Sequence, residues 1–242
     1  MSWTSDFIVN TKDGYITDGG YITQSSNYIR AGVKQDEQNP ENEIIYRGFL
    51  YFDTSILGEG AKAEDVKLWI KVNQTVWEKT HYNKKSNFAI YLGKIDEDTQ
   101  EQYPHSILVK KDYNLDNYIL VNGITETDDE IEVGWNSFSF NSEGKKWIQN
   151  TGETKFIFVH TKEQEEKGFI EFFSGNYSEI DCAYLEITYR LMRGYTKRVW
   201  VRPDGCKKGD LFYYDGTKLV RLEIGTQGQR LKMGNDGIPG WE

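Results

Sequence analysis

Apolar and polar residues alternate with a period of two through almost the whole chain, and this pattern constrains the fold more than any other feature. Val66–Val72 alternates strictly, and so do Phe88–Leu92, Trp135–Phe140 and Ala183–Tyr189. Successive side chains of a β-strand point to opposite faces, so this period is typical of strands with one buried face. Turn signals such as Asp18-Gly19-Gly20 separate the segments. The pattern therefore predicts an all-β protein.

One short segment has a helical pattern, about Ser142–Gln149, in which Ser142 is expected to cap the N-terminus and Trp147 to turn inward. Many short strands with so little helix predict an antiparallel jelly-roll β-sandwich, whose two sheets bury their apolar faces against each other. The chain of 242 residues is long enough for one such domain and an appendage. We expect the sandwich at residues 1–190 and a small C-terminal β-hairpin appendage within 191–242.

Charge is distributed unevenly along the chain, whose formal net charge is -9. From Arg190 onward eleven basic residues face six acidic ones, a net charge of +5, so the first 189 residues carry -14. An acidic body repels phosphates and the basic part has no long Lys/Arg run, so we expect no nucleic-acid partner. A basic segment on an acidic body suits docking to an acidic protein surface or a neighbouring subunit.

The sequence shows no targeting signal and too few cysteines to constrain the fold. No stretch approaches the roughly 18 apolar residues of a membrane span, and the first residues lack the features of a signal peptide, so no membrane partner is expected. The two cysteines, Cys182 and Cys206, are too few for a disulfide framework or a multi-cysteine metal site. Two free thiols are favoured over a bridge between them.

Catalytic patterns are missing from the sequence, which predicts neither an enzyme nor a cofactor. There is no nucleophile elbow, phosphate-binding loop or dinucleotide fingerprint, and His81, His105 and His160 stand in unlike contexts. Each histidine is expected at the surface or in a turn. Acidic clusters at Asp96-Glu97-Asp98 and Asp128-Asp129-Glu130 offer oxygen ligands for Ca²⁺, but neither has the usual loop order. Solvated loops are the favoured interpretation, and no metal site is predicted.

A run of residues in the body resembles a known signature. Tyr46–Asp53 reads Tyr-Arg-Gly-Phe-Leu-Tyr-Phe-Asp and is followed by Val66–Ile70. This is similar to the Arg-x-x-Leu-x-Phe-Asp signature of DNRLRE and disaggregatase-related domains, which are jelly rolls similar to carbohydrate-binding modules. Further matches come in that family's order, and the resemblance covers about residues 7–190, with a long insert at 96–134. The further matches are Asp13–Ile16, Trp147–Gly152 and Tyr184–Tyr189.

The resemblance implies a jelly roll, but no ligand-contacting motif of the family is matched. Arg47 and Asp53 lie six residues apart, so in one strand they share a face with Phe49 and Tyr51 between them. We expect the two charges to pair or to cap a loop rather than to bind a ligand. Any sugar site would use exposed rings, for which Trp77, Tyr82 and Tyr103 are the candidates. Core or interface packing is the favoured role for any one of these rings.

The C-terminal residues carry a second resemblance. Gly209–Leu222 is expected to form a hairpin that turns at Asp215-Gly216, and Gly237-Ile238-Pro239-Gly240-Trp241 follows near the end. Residues 205–242 are similar to a segment found in structural proteins of tailed bacteriophages, with Gly-Asp-Leu-x-Tyr-x-x-Gly, Arg-Leu-x-Ile-Gly-x-x-Gly-Gln-x-Leu and Gly-x-Pro-x-Trp in that order. Appendage proteins with this segment are usually trimeric, so the resemblance implies a homotrimer.

This C-terminal segment holds too few apolar residues for a core of its own, and an isolated hairpin is marginal in water. Its apolar residues are therefore expected to anchor or oligomerise the chain against another copy or against a capsid or tail protein, while folding back on the body is the alternative. These residues are Leu211, Tyr213, Leu222, Ile224, Leu231 and Trp241.

Two functions from different classes follow. The first is a virion surface structural protein of a tailed phage, assembled in the host cytoplasm, such as a head decoration, head fibre or tail-fibre subunit. It would display the jelly roll and adhere to host surface polysaccharide. The second is a glycan-binding module of a cell-surface or polysaccharide-processing system. The C-terminal segment favours the first, because a free-standing sugar module has no need of it.

Overall fold

The computed structural model describes residues 12–24, 26–39, 41–77, 84–119, 123–125, 127, 129–163, 168–177, 181–190, 196–201, 211–214, 219–222, 229–234 and 238–241. Within these residues the protein is mostly strand, and its helices are single 3₁₀ turns. The prediction of an all-β sandwich is therefore confirmed.

The strands follow one another along the whole described chain. They are β1 (Gly14–Thr17), β2 (Ile22–Thr23), β3 (Tyr28–Gln35), β4 (Glu43–Asp53), β5 (Lys62–Trp77), β6 (Phe88–Gly93), β7 (Tyr118–Ile119), β8 (Gly134–Ser139), β9 (Glu153–His160), β10 (Gly168–Phe173), β11 (Tyr184–Arg190), β12 (Thr196–Val201), β13 (Leu211–Tyr214), β14 (Leu219–Leu222), β15 (Leu231–Met233) and β16 (Pro239–Trp241). The 3₁₀ turns are Ser55–Leu57, Lys85–Asn87, Lys110–Tyr113, Leu115–Asn117 and Gly144–Trp147.

One large antiparallel sheet curls to form both layers of the sandwich. Its strand order is β12-β11-β5-β10-β3-β4-β9-β6-β7, while β8 pairs with β5, β1 with β4, and β2 with β1. The 16-residue strand β5 pairs with β8, β10 and β11, and so belongs to both halves. Phe138 of β8 lies edge-on to Phe158 of β9, with ring centres 5.3 Å apart. The two halves of the sheet therefore face each other across the main core.

Alternation in the sequence becomes alternation in burial. Leu185, Ile187 and Tyr189 of β11 enter the main core, while the residues between them are half-buried. Across the core, Leu50 and Phe52 of β4 also enter the main core, while Tyr51 between them is buried on the opposite face of the sheet. Burying a large apolar side chain contributes about 1.5–3 kcal/mol, so this core supplies the main stabilisation of the sandwich.

The short helix predicted at Ser142–Gln149 is a single 3₁₀ turn, Gly144–Trp147. Its N-cap residue is Glu143 and not Ser142, and Asn141 Oδ1 accepts hydrogen bonds from the backbone N–H groups of Glu143 and Gly144 at 3.0 and 2.9 Å. Trp147 is buried, as predicted. The prediction of the cap was wrong because the turn begins two residues later than the sequence pattern indicates.

Strands in the C-terminal part form three pairings. β12 pairs antiparallel with β11, from Leu185–Val201 to Arg190–Thr196, so the body's sheet extends past residue 190. β13 pairs with β14 as the predicted hairpin, while its turn residues lie outside the described chain. β15 pairs with β16. The division at residue 190 stays a prediction, with 196–201 joined to the sheet of the body.

Candidate functional site

Of the three rings proposed for sugar stacking, the structure describes that of Tyr103 alone. Tyr103 is only 3% exposed and packs in a second core, so its prediction as a sugar-binding ring is wrong. Trp77 ends β5, where its side chain lies outside the description, and Tyr82 lies outside the described residues. Tyr103 was misjudged because the long insert around it folds back onto the sheet rather than into solvent.

Residues 94–119 include the first part of the insert expected at 96–134, and we call them the insert from here on. They cover the face of the sheet opposite to the main core. Tyr103, Leu108 and Tyr118 pack there against Phe49 and Tyr51 of β4. The rings of Tyr103 and Tyr118 lie 6.1 Å apart. The Tyr51 hydroxyl donates a hydrogen bond of 2.5 Å to the carbonyl of His105. The insert therefore forms a third layer over β4, β6 and β9.

A histidine lies between two carboxylates inside this layer. His105 is 7% exposed, with Nδ1 2.7 Å from Oδ1 of Asp112 and Nε2 3.1 Å from Oδ2 of Asp96. The expectation of a surface or turn histidine is wrong here. Contacts of the two ring nitrogens with carboxylates offset the free-energy cost of burying the polar ring. His160, at 1% exposed, corrects the same expectation, since its ring packs edge-on to Phe88. His81 lies outside the described residues.

Asp96 belongs to an acidic cluster that the sequence left open for Ca²⁺. Burial raises the pKa of its carboxyl, but hydrogen bonds from the Asp98 N–H, Lys111 and Tyr103 outweigh it and hold that pKa well below the usual value. Lys111 Nζ lies 3.0 Å from Asp96 Oδ2 and 2.9 Å from Asp98 Oδ2. A lysine thus occupies the place at these carboxylates that a cation would need.

A second charged pair, Lys155 and Glu101, joins the insert to β9. Lys155 Nζ lies 3.1 Å from Glu101 Oε1 and also donates to the Pro104 carbonyl and to the Ser106 hydroxyl. Burial raises the pKa of the Glu101 carboxyl, yet hydrogen bonds from Ser106 and Lys155 outweigh it and lower that pKa to about 2. The carboxylate is therefore ionised and paired at neutral pH.

These groups hold the insert in place. Asp96 and Asp112 lie at opposite edges of the His105 ring, so they do not converge on one point. Among the described residues no group of three or more histidine, cysteine or acidic residues is arranged to hold a metal ion. Both Asp112 oxygens accept backbone N–H groups, from His105 and Val109. The cluster therefore acts as a structural clamp.

Arg47 and Asp53 of the family-like signature serve packing, as expected, but they do not pair with each other. Arg47 binds Glu163 through Nε and Nη2, at 3.1 and 2.5 Å, and its guanidinium lies 4.0 Å from the ring centre of Tyr113. Asp53 accepts a hydrogen bond of 3.0 Å from the Ser55 N–H and so caps a turn. Phe49 and Tyr51 share the second core with the insert.

An open cleft of about 380 Å³ lies beside the turn between β1 and β2, and we call it the tyrosine cleft. Ring and aliphatic side chains form its apolar lining, and Asp18 and Arg30 are its charged residues. Its lining consists of Tyr15, Thr17, Asp18, Gly19, Tyr21, Arg30, Ile44 and Tyr46. A volume in the range of about 300–1,000 Å³ with few polar groups is typical of small-molecule sites.

The turn at the cleft is tightly built. Thr17 Oγ1 accepts the Tyr21 N–H at 3.1 Å, and Asp18 Oδ1 accepts the N–H groups of Gly19 and Ile45 at 3.0 and 3.2 Å. Gly20, with φ +80°, supplies the left-handed conformation that the turn requires. These bonds fix the turn to β4, while the Tyr21 side chain stays 63% exposed at the rim.

Arg30 forms the charged wall of the cleft. Its guanidinium lies 5.2 Å from the Tyr15 ring centre and 5.7 Å from that of Tyr46. Nε donates to Glu171 at 2.9 Å and Nη1 to the Tyr15 hydroxyl at 3.2 Å. Burial raises the pKa of the Tyr15 and Tyr46 phenols, so both are neutral at pH 7. The sequence analysis missed this site; its signal was the Asp18-Gly19-Gly20 turn between two tyrosines.

Other rings remain open on the body. Trp69 stacks on Tyr184 with ring centres 6.0 Å apart, and Trp135, which is 42% exposed, meets Tyr184 edge-on at 5.5 Å. Tyr177, at 47% exposed, stacks obliquely on Phe173 at 4.3 Å. The rings in these clusters expose part of their surface, and the contacts described above join rings of the same cluster.

Comparison with known proteins finds no family model that matches the chain and no curated protein that matches it. The geometry must therefore carry the functional argument. In the part of the chain that the structure describes, no helix has the length and apolar character needed to cross a membrane.

The residues expected to oligomerise or anchor the chain are described only in part. Leu211 and Tyr213 lie in β13 and Leu222 in β14, where the backbone alone is described. Ile224 lies outside the described residues. Leu231 is 48% exposed, and Trp241 is half-buried. Two neighbours that the sequence analysis did not select, Met233 and Ile238, are 60% and 41% exposed.

Proposed function

We propose that the protein is a non-catalytic structural protein on the virion surface of a tailed bacteriophage, as a head decoration, head fibre or tail-fibre subunit. Its β-sandwich is displayed and adheres to host glycans, and its C-terminal segment makes the assembly contacts. The partners are further copies of the chain, as a homotrimer, together with capsid or tail proteins. The resemblance of residues 205–242 to phage structural proteins supports the virion setting.

The observation that carries the assembly role is the apolar surface of the hairpin β15–β16. Leu231 and Met233 of the three-residue strand β15 are 48% and 60% exposed, and Ile238, which directly precedes the three-residue strand β16, is 41% exposed. Such a pair is marginal in water on its own, and burial of its side chains against another chain would stabilise both. The net charge of +5 from Arg190 onward, beside an acidic body, adds electrostatic attraction between copies.

A charge-insertion experiment tests the assembly role. We expect light scattering coupled to gel filtration to give a trimer for the full chain and a monomer for the double variant Leu231→Glu/Met233→Glu. Ile107→Glu is the matched control, because Ile107 is an apolar side chain of the body that is 76% exposed. A wild-type monomer, or equal dissociation by both variants, would exclude self-assembly through this hairpin.

The virion setting has its own test. Mass spectrometry of purified particles should detect the protein in stoichiometric amounts, and its absence from them would overturn the proposal. The second candidate, a glycan-binding module of a cell-surface or polysaccharide-processing system, would then be preferred. The exposed rings of Tyr21, Trp135 and Tyr177 support glycan binding, which both candidate functions include.

A further inference from the structure

The tyrosine cleft combines a ring surface with polar groups that have capacity left for a ligand. Arg30 has three hydrogen-bond partners, Glu171 at Nε, Tyr15 at Nη1, and Tyr46. The guanidinium has five N–H groups, so donors remain for a ligand. Oδ1 of Asp18 is used by two backbone N–H groups, whereas its exposed carboxylate keeps Oδ2 as an acceptor. The cleft therefore offers a donor and an acceptor beside the Tyr21 ring.

Another cleft of the body has an arginine that is less accessible to a ligand. That cleft, of about 390 Å³, is lined by Arg47, whose guanidinium binds Glu163 through two nitrogens and the Tyr113 carbonyl through the third. The Arg47 side chain is 11% exposed, against 32% for Arg30. The guanidinium of the tyrosine cleft, held by Glu171 and two tyrosines, is therefore positioned and open to a ligand.

Charge narrows the chemistry of the ligand. The lining of the cleft carries one carboxylate, Asp18, and one guanidinium, Arg30, so it has no excess charge of either sign to select an ionic ligand. The body's charge of -14 disfavours phosphate and carboxylate ligands. A purely apolar ligand is disfavoured as well, since it would leave the carboxylate and guanidinium without partners.

We propose that the tyrosine cleft binds a neutral sugar residue of a glycan chain, with one face of the sugar ring on Tyr21 and its hydroxyls on Asp18 and Arg30. A pyranose presents an apolar C–H face and a rim of neutral hydroxyls, which matches a phenol ring beside one acceptor and one donor. The exposed rim position of Tyr21 lets a longer chain continue past the cleft. The inference rests on the adhesive part of the proposed function and identifies its site.

The test titrates the full chain with neutral and acidic oligosaccharides by calorimetry. The probes are cellohexaose, maltohexaose, mannohexaose and hexagalacturonic acid. We expect at least one neutral probe to bind, and Tyr21→Ala to lower its affinity about tenfold, the effect of removing about 1.4 kcal/mol of contact energy. Asp18→Asn keeps the oxygen that accepts the turn's N–H groups and replaces the other, so it should also weaken binding without unfolding the turn.

Tyr177→Ala is the matched control, because it removes another exposed tyrosine ring from the body. Its affinity should stay within about twofold of the wild-type value. Failure of every neutral probe, binding of the acidic probe alone, or an equal loss in Tyr177→Ala would overturn the proposal. The molar mass of the same samples reports on assembly separately, so a failed sugar site leaves the assembly proposal standing, and a failed assembly leaves the sugar site standing.

Discussion

Nδ1 of His105 lies 2.7 Å from Oδ1 of Asp112, a carboxylate with no exposed surface, in a layer that the insert 94–119 lays over the sheet. Each ring nitrogen lies within hydrogen-bond distance of a carboxylate oxygen. Contacts on both edges hold the buried ring in one geometry, and removing the ring leaves buried carboxylate oxygens with one partner fewer. The insert therefore depends on this histidine for its position.

Replacing the histidine should loosen the whole layer. We expect His105→Ala to lower the free energy of unfolding by about 1–3 kcal/mol, because the buried Asp112 and Asp96 carboxylates each lose a hydrogen-bond partner. Urea unfolding followed by tryptophan fluorescence measures the change. The control is Asp98→Asn, an 83% exposed carboxylate of the same insert, which should cost less than about 1 kcal/mol. A variant of His105 as stable as the control would contradict the structural role of the clamp.

Acid should weaken the insert through Glu101. Its pKa is about 2 in the folded protein, below the ordinary value of 4.5, so folding favours the ionised carboxylate. The resulting stabilisation is fully present above about pH 4.5 and is lost as the pH falls towards 2. Melting temperatures at several pH values should therefore show wild type above Glu101→Gln at pH 6, and the difference should vanish near pH 2.

The partner variant Lys155→Met provides the control for this pH effect. Lys155 is 3.1 Å from Glu101, so without it the carboxylate loses its cation. In the Lys155→Met background, Glu101→Gln should change the melting temperature less at pH 6 than it does in the wild type. An unchanged difference would assign the stabilisation to Ser106 alone.

The strands were predictable because each one carries its own signal. Tyr184–Tyr189 alternates in sequence, and its residues alternate in burial in β11. The pairing of β13 with β14 was also predictable, since a turn dipeptide lies between two apolar runs. The pairing of β12 with β11 was not, because the charge reversal near Arg190 suggested a boundary and carries no information about which strands pair.

The insert and the tyrosine cleft could not be predicted in the same way. His105 is buried by acidic residues nine positions before it and seven after it, a spacing that matches neither helix nor strand period. Tyr103 became a core residue because the fold brings it onto β4. The cleft joins Asp18 and Tyr21 to Arg30 and Tyr46 across neighbouring strands, and single-sequence patterns do not reveal such long-range contacts.

Gly93, the last residue of β6, should not tolerate a side chain. A Cβ on Gly93 would lie 1.9 Å from the Tyr103 carbonyl oxygen, so the insert would have to move. Gly93→Ala is expected to destabilise the protein by about 1–3 kcal/mol and to expose residues 94–119 to limited proteolysis. Gly152→Ala is the control, because nothing lies within 4 Å of the added Cβ. Equal protease resistance of both variants would mean that the insert adapts to the added atom.

Substitutions of Arg47 and Glu163 test whether the arginine of the family-like signature has a structural role. Arg47 and Glu163 side chains are 11% and 7% exposed and are joined by two hydrogen bonds. Arg47→Met leaves Glu163 buried without its cation and should cost about 3–5 kcal/mol, and Glu163→Met should cost a similar amount. Because an apolar pair can replace a buried ion pair, the double variant should lose much less than the sum of the two single variants. Additive losses in chemical unfolding would show that the two side chains act independently, and the signature arginine would then need a role other than this pair.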